Sequence, residues 1–157
     1  MLLTPHTIVG LAIGSTIKNT PLGFFLSVFM HFAGDLVPHW DFYSGTTKED
    51  RRTGWRPLAV MADLICGVAI GLSAVLFSLW VKQSPEVAFR LFACGIGSVL
   101  PDALEGPHIY FSKEPKILKI ISKMQGKLQF QAPLPWGIIS QLAVMAFSLL
   151  IILESLL

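Results

Sequence analysis

Histidines and acids able to do chemistry recur in one short stretch of this sequence, His31-Phe-Ala-Gly-Asp35-Leu-Val-Pro-His39-Trp-Asp41. His31, Asp35 and His39 are spaced four residues apart, so a helix would stack them on one face. Pro38 can distort the last turn of that helix, so the place of His39 on this face is the least secure of the three. Asp41 follows at once, as a candidate general acid or base or as the cap of a turn.

A second stretch, residues 101–108, reads Pro-Asp-Ala-Leu-Glu-Gly-Pro-His. Asp102 and Glu105 are three residues apart and share a helical face. Imidazole and carboxylate groups in one cavity can bind Zn²⁺, Mn²⁺ or Fe²⁺, and Mg²⁺ where oxygens dominate. We therefore expect a divalent metal site, with zinc as the first candidate ion. The candidate ligands are His6, His31, Asp35, His39, Asp102 and Glu105. The candidates for proton transfer are Asp41 and His108.

The composition indicates which kind of element must position these residues. The chain has 157 residues, of which 53% are hydrophobic and 14% are charged. Soluble chains carry about 25% charged residues, and a surface with so few charges does not suit a soluble globule. A disordered chain is excluded, because disordered segments are poor in hydrophobic residues. The net charge of +2 is too small to indicate a nucleic-acid partner.

Apolar segments follow one another along the chain at residues 7–17, 22–37, 58–81, 87–100 and 134–153. The third and fifth are long enough to cross about 30 Å of hydrocarbon as helices, and the other three are marginal. None alternates with period two, which excludes strands. We predict one all-α domain over residues 1–157. It is a polytopic helical membrane protein with about five hydrophobic helices, four to five of them spanning, and one amphipathic interfacial helix.

Basic residues are concentrated in two linkers, 39–57 and 112–133, which hold nine of the twelve Lys and Arg residues. If all five segments span, both linkers lie on one side of the membrane, and the positive-inside rule makes that side cytoplasmic. We therefore expect an inner or plasma membrane location. Helix parity then places all four histidines and the candidate acids Asp35, Asp41, Asp102 and Glu105 near the same face. Asp63 also lies there, either as a helix-packing residue or as part of the site.

The pattern of residues 113–128 predicts an amphipathic basic helix. Lysines recur at spacings of three and four, with isoleucine, methionine and leucine between them on the opposite face. Such a helix suits the anionic cytoplasmic leaflet, either as an anchor alone or to capture an anionic lipid substrate. Its expected contacts with lipid head groups are Lys113, Lys116, Lys119, Lys123 and Lys127. In the other linker, Arg56 is the candidate for neutralising a lipid phosphate.

Three motifs resemble a known family. They are Thr-Pro-His-Thr-Ile-Val-Gly at 4–10, Met-His-Phe-Ala-Gly-Asp at 30–35 and Leu-Pro-Asp at 100–102. They resemble the LexA-binding inner-membrane family of metal-dependent membrane hydrolases, which has a His-Gly-type start, a Ser-His-x-x-x-Asp helix and a Leu-Pro-Asp-x-Asp-His motif. Glu105 stands where that family has a histidine, and the order of the motifs differs. The chain is also similar to short bacterial proteins carrying His-x-x-x-Asp-x-x-Pro-His-Trp-Asp. The resemblance implies metal binding more directly than any one reaction.

These patterns favour a metal-dependent hydrolase of the membrane, with a site at the cytoplasmic interface and a phospholipid or lipid phosphate as substrate. One alternative is a metal or proton transporter, whose site should lie near the membrane midplane with access from both sides. Another is a non-enzymatic scaffold that binds a partner through the basic helix and uses the polar cluster only for structure. The oligomeric state is open.

Overall fold

The computed structural model describes residues 1–110 and 116–156, without the side chains of Lys48 and of residues 105–110, 116–117 and 121–122. Within this part the regular elements are all helices, as predicted. Its α-helices are α1 (Leu3–Thr16), α2 (Thr20–Asp35), α3 (Lys48–Arg52), α4 (Arg56–Leu76), α5 (Pro85–Tyr110), α6 (Lys116–Leu128) and α7 (Trp136–Leu156). Helix α4 continues into a π-helical segment, Phe77–Val81.

Helix α1 is the central element of the bundle and packs against α2, α4, α5 and α7. It approaches α5 most closely at two glycines. A Cβ added to Gly10 would lie 2.6 Å from the Cys94 carbonyl oxygen, and one added to Gly14 would lie 2.9 Å from that of Arg90. Small residues four apart allow membrane helices to pack this closely. Because the later glycine meets the earlier residue of α5, the two helices are antiparallel.

The start of α1 is held by Asp63 of the neighbouring helix α4. The Asp63 carboxylate accepts hydrogen bonds from the amides of Leu3 at 2.6 Å and Thr4 at 3.2 Å. These two amides have no acceptor within their own helix, and the carboxylate also suits the positive end of the helix dipole. Asp63 therefore serves helix packing, one of its two predicted uses. By holding the start of α1, it also fixes the position of His6 along the axis of the bundle.

Three helices among the described residues are long and apolar enough to cross a membrane: Arg56–Val81, Pro85–Leu104 and Trp136–Leu156. Large apolar side chains cover their outer surfaces, for example Leu58 at 73% exposure and Phe147 at 67%. Such surfaces suit contact with lipid. Helices α1 and α2 have 14 and 16 residues, short of the roughly 20 that a span needs, and α1 is enclosed by protein. The fold thus supports three candidate spans, where four to five were predicted.

Helix α5 runs through Pro101 to Tyr110, well past the predicted end of the fourth apolar segment at residue 100. Proline usually breaks a helix, but membrane helices tolerate it where neighbouring groups satisfy the freed carbonyl. Asp102 therefore remains on a continuous helix, one turn after Ser98. This places its side chain beside α2.

Helix α2 ends at Asp35, so the stack of side chains on its face contains His31 and Asp35 but not His39. His39 instead forms a short parallel bridge with Gln131, in the segment that joins α6 to α7. Backbone hydrogen bonds of 3.0 and 2.7 Å fix His39 on both sides. The expectation that one helix carries all three residues is therefore wrong, because the helix ends before Pro38.

Candidate metal centre

Two imidazoles and two carboxylates converge where α1 begins, α2 ends and α5 passes them. His6, His31 and Asp102 each offer one ligand atom, and these atoms lie within 4.8 Å of one another. Asp35 lies against both imidazoles: its Oδ1 is 3.3 Å from His6 Nε2, and its Oδ2 is 3.6 Å from His31 Nε2. His31 Nε2 is also 3.5 Å from Asp102 Oδ1. We call these four residues the polar cluster.

The spacings within the polar cluster suit a small divalent ion. At bond lengths of about 2.0–2.2 Å, the ligand atoms of a tetrahedral zinc site lie about 3.4 Å apart. The three nitrogen-to-oxygen distances in the cluster are 3.3, 3.5 and 3.6 Å. Two nitrogens and two carboxylates form a mixed donor set that suits zinc, manganese or iron better than magnesium. The residues present therefore fit the predicted ion.

The tautomer of His31 leaves a lone pair for a ligand. Its Nδ1 lies 2.7 Å from the Ser98 carbonyl oxygen, which can only accept a hydrogen bond. Nδ1 must therefore carry a proton, and Nε2, which faces Asp35 and Asp102, is the ring nitrogen that could bind a metal ion. A second hydrogen bond of this kind is the usual way in which proteins orient a metal-binding histidine.

Burial makes the polar cluster costly unless its groups are satisfied. His6, His31 and Asp35 are at most 1% exposed. Within the described part of the chain, two buried atoms that face the cluster have no hydrogen-bond partner, His6 Nε2 and Asp35 Oδ2. His6 Nε2 is near Asp35 Oδ1, but the pair does not make a hydrogen bond of normal geometry. A buried polar atom without a partner is unfavourable, and a bound cation would satisfy both atoms.

Gln125 of α6 supports the polar cluster from its other side. This side chain is fully buried, and its Nε2 lies 3.0 Å from Asp102 Oδ1 and 3.3 Å from His31 Nε2. An amide nitrogen carries two hydrogens and can donate to both groups. Gln125 therefore connects the basic helix to a candidate ligand carboxylate, in the manner of residues that orient metal ligands.

A cavity of about 500 Å³ adjoins the polar cluster. Asp102, with its side chain 26% exposed, is the member of the cluster that lines it. Most of the other lining side chains are apolar and come from the first turn of α1, from α4 and from α5. The polar lining side chains are Asp41, Tyr43, Arg51, Asp63, Asp102 and Gln129. A buried group of ligands beside a mostly apolar cavity is the usual form of a small-molecule site.

His39 is fully buried but lies outside the polar cluster. Its Nδ1 lies 2.8 Å from the Val37 carbonyl oxygen, so Nδ1 carries the proton and Nε2 can accept from the Met1 amino group at 2.8 Å. The same amino group donates to Asp35 Oδ1 at 2.6 Å. Burial, followed by the positive charge of Met1, lowers the pKa of His39 below its ordinary value. The structure thus places His39 beside the cluster as an uncharged imidazole. Its role as a metal ligand stays a prediction.

Asp41 lines the same cavity as Asp102. Its Oδ1 accepts hydrogen bonds from the Tyr43 amide at 2.7 Å and from the Ser44 hydroxyl at 3.1 Å. Its Oδ2 lies 3.8 Å from His39 Nε2. Asp41 therefore both stabilises a turn and faces the cavity, which leaves the predicted proton-transfer role open.

The remaining predicted residues lie apart from the polar cluster or outside the described side chains. Arg56 donates from Nε to the Phe42 carbonyl oxygen at 3.2 Å, and its guanidinium lies over the Trp55 ring at 5.4 Å. The side chains of Glu105 and His108 lie outside the described residues, as do Lys113 and the side chain of Lys116. The lysines described on α6 are exposed, and they are Lys119, Lys123 and Lys127.

Sequence reasoning missed two residues near the site, Gln125 and Arg51. Gln125 could have been noticed as an uncharged polar residue beside Ile121, at the edge of the apolar face of a basic helix. Arg51 lines the cavity. It is one of several arginines in its linker, and the spacing of those arginines gave no reason to prefer it over Arg56.

Comparisons with known proteins identify no relative of this chain, since no family model, no curated protein and no solved structure matches it. The resemblance of its three motifs to the LexA-binding inner-membrane family therefore stays a prediction.

Proposed function

We propose that this chain is a metal-dependent hydrolase of the membrane that cleaves a phosphoester of a phospholipid or lipid phosphate. The observation that carries the proposal is the polar cluster itself: the buried His6, His31 and Asp35 and the partly exposed Asp102 meet at ligand spacing beside a cavity. Ionisable groups buried in a membrane protein are expensive and usually functional. A divalent ion held by these groups would supply Lewis-acid activation of water and of a phosphoryl oxygen.

The chain's own residues supply the other parts of the proposed reaction. Ser98 holds His31 in the ligating tautomer, and Gln125 holds Asp102. Asp41 faces the cavity and has Oδ2 directed towards His39, so it is the proposed group for taking a proton from the attacking water. The apolar lining excludes bulk water, which strengthens the electrostatic interactions inside the cavity.

The position of the polar cluster along its helices supports a substrate that meets the site at the membrane surface. His6 lies near the start of α1, Asp35 is the last residue of α2, and Asp102 lies near the end of the candidate span Pro85–Leu104. The exposed lysines of α6 belong to the same end of the bundle, because α6 carries Gln125. We propose that this end faces the cytoplasm at an inner or plasma membrane, where anionic head groups would contact those lysines.

Two observations disfavour the alternatives, a transporter and a non-enzymatic scaffold. A transporter would carry its site near the midplane, where both sides of the membrane can reach it in turn. The polar cluster instead lies at helix ends. A scaffold without a ligand would leave His6 Nε2 and Asp35 Oδ2 buried and without hydrogen-bond partners among the described side chains, at a cost of about 1–3 kcal/mol for each group.

Metal analysis of the purified protein tests the proposal. After reconstitution with zinc or manganese in detergent, we expect about one ion per chain by mass spectrometry. The variants His31→Ala and Asp102→Asn should lose most of it, whereas Glu154→Gln, an exposed carboxylate on α7, should keep it. Equal thermal midpoints in detergent would show that the variants fold. Substoichiometric metal in the reconstituted parent protein would contradict the proposal.

Phosphate release from lysophosphatidic acid in mixed micelles then tests the reaction. We expect release by the metal-loaded parent protein and none after removal of the metal with a chelator. Re-addition of the ion should restore release. A metal-loaded protein that cleaves neither lysophosphatidic acid nor a phosphodiester lipid would support the metal site and contradict the hydrolase function.

A further inference from the structure

The cavity beside the polar cluster has two chemically different parts. Its apolar wall includes Leu3 of α1, Val60 and Leu64 of α4, and Val99 of α5. Its polar part comes largely from the segment between α2 and α4. The volume of about 500 Å³ lies within the range of about 300–1,000 Å³ that small-molecule sites occupy. This lining matches a molecule with one apolar chain and one polar head.

Arg51 is the one side-chain cation among the described residues that line the cavity. Its guanidinium lies over the Tyr43 ring at 5.1 Å, and its Nε donates to the Thr46 hydroxyl at 3.3 Å. These contacts orient the guanidinium but do not neutralise it, and no ion pair with a described acidic side chain is formed. A half-buried arginine held in this way can bind a phosphate through two parallel hydrogen bonds.

The carboxylates of the cavity already have partners. Asp63 caps α1 through two backbone amides. Asp41 accepts two hydrogen bonds within its turn. Asp102 accepts from Gln125 and faces His31. The cationic Arg51 is therefore the group to which an anionic head can bind, in the same cavity that the candidate metal ligand Asp102 lines.

We propose that this cavity is the substrate chamber, that it takes a single-chain amphiphile with a phosphomonoester head, and that Arg51 binds the phosphate. The proposal rests on the function above, because it treats Asp102 as part of the reacting end of the chamber. It differs from the sequence prediction in two ways. The phosphate is bound by Arg51 in place of Arg56, and the apolar chain lies inside the protein next to α4.

Equilibrium dialysis with radiolabelled dodecyl phosphate tests this. The protein would be held in an amphipathic polymer, and the ligand would stay below its micelle concentration, with empty polymer as the blank. Inorganic phosphate and dodecyl maltoside serve as comparison ligands for the head alone and the chain alone. We expect dodecyl phosphate to bind at least about tenfold more tightly than either. Equal binding of inorganic phosphate would identify a free anion as the ligand and overturn the proposal.

Two matched pairs of variants locate the binding. Arg51→Gln should weaken dodecyl phosphate binding by about tenfold or more, whereas Arg52→Gln, with the same change of charge at the next residue, should not. Val60→Phe should fill the chamber and block binding, whereas Ile65→Phe lies on the same helix outside the cavity and should leave binding unchanged. Thermal midpoints would report folding. If the two variants of either pair bind dodecyl phosphate equally, the chamber is not the binding site. If Val60→Phe does not fold, the comparison of the two arginine variants still tests the proposal.

Metal analysis of the same samples separates this proposal from the proposed function. Binding that depends on Arg51 in a protein unable to hold metal would support the chamber and contradict the hydrolase. Stoichiometric metal in a protein that binds dodecyl phosphate no better than inorganic phosphate would support the metal centre and overturn the chamber.

Discussion

His31 is the residue on which the candidate centre depends most. Its Nδ1 proton is committed to the Ser98 carbonyl oxygen, so its Nε2 lone pair is fixed towards the polar cluster. Asp35, Asp102 and Gln125 all lie within 3.6 Å of this nitrogen. One imidazole therefore links three helices, α2, α5 and α6. The position of a single ring is thereby determined by contacts far apart in the chain.

Gln125 shows how a neutral residue can matter to the candidate centre. It is fully buried on a helix whose lysines are exposed, and its amide reaches Asp102. Its own Oε1 is buried without a hydrogen-bond partner among the described residues. A side chain held in this way is retained at some cost in stability, which is typical of residues that orient functional groups.

Replacing Gln125 should weaken metal binding without removing a ligand. For Gln125→Leu we expect an affinity about 10–100-fold lower, because Asp102 loses the donor that orients it. Competition with a chromogenic chelator measures this change. Gln131→Leu is the matched control, since Gln131 is an exposed glutamine in the segment after α6. Equal affinities in the two variants would mean that Gln125 has no part in the centre.

Among the elements, α1 decides where the site forms. It is too short to cross a membrane alone, yet it is the most enclosed helix of the bundle. Asp63 of α4 caps its first turn, and Gln141 of α7 accepts from the Leu2 amide at 2.9 Å. Two glycines hold it against α5. These contacts bring His6 to the same level along the bundle axis as His31 and Asp102.

The contact of α1 with α5 predicts a large difference between two glycine substitutions. In Gly14→Ala the new Cβ would lie 2.9 Å from the Arg90 carbonyl oxygen and 3.0 Å from the Leu91 Cα, both backbone atoms. We expect this variant to lose about 1–3 kcal/mol of stability, because backbone cannot yield without shifting a helix. A lowered thermal midpoint in detergent is the measurement.

Gly126→Ala is the matched control for that substitution. Gly126 also lies within a helix, but a Cβ there would meet none of the described neighbouring atoms within 4 Å. We expect a gain of about 0.5–1 kcal/mol, since alanine favours helix over glycine. Similar midpoints for the two variants would contradict the tight packing of α1 against α5.

For the whole molecule, the local sequence was enough to predict the longer helices. The apolar runs that begin at residues 22 and 87 predicted the starts of α2 and α5 to within two residues of the structure. The basic, amphipathic pattern gave α6. The alternation of helix direction also predicted that His6, His31, Asp35 and Asp102 belong to one end of the bundle, and the structure brings them into contact.

The features that the sequence did not reveal are all long-range. Helix α1 begins earlier than its apolar run because a carboxylate sixty residues away, Asp63, caps it at Leu3. Helix α5 continues through Pro101, which a local rule treats as a break. Arg51 lines the cavity because its linker folds back over α4. Each of these follows from packing between segments, which neither periodicity nor composition reports.

The distribution of basic residues makes a prediction about the whole molecule in its membrane. Lys127 belongs to one of the two basic linkers, whereas Lys82 follows the π-helical end of α4, at the opposite end of that helix from Arg56. The positive-inside rule therefore places Lys127 in the cytoplasm and Lys82 outside. A membrane-impermeant maleimide should label Lys82→Cys in sealed right-side-out vesicles, and Lys127→Cys only in inside-out ones.

This labelling needs a background in which only the introduced thiol reacts. Cys66 is exposed on α4 and would be changed to alanine, whereas Cys94 is fully buried and can remain. Both lysines are exposed, so their cysteine variants should react at similar rates once the vesicles are opened with detergent. Labelling of both positions from the same side would mean that α5, which lies between them in the chain, does not cross the membrane. Labelling of each from the side opposite to the one expected would place the candidate metal centre on the outer face, away from cytoplasmic substrates.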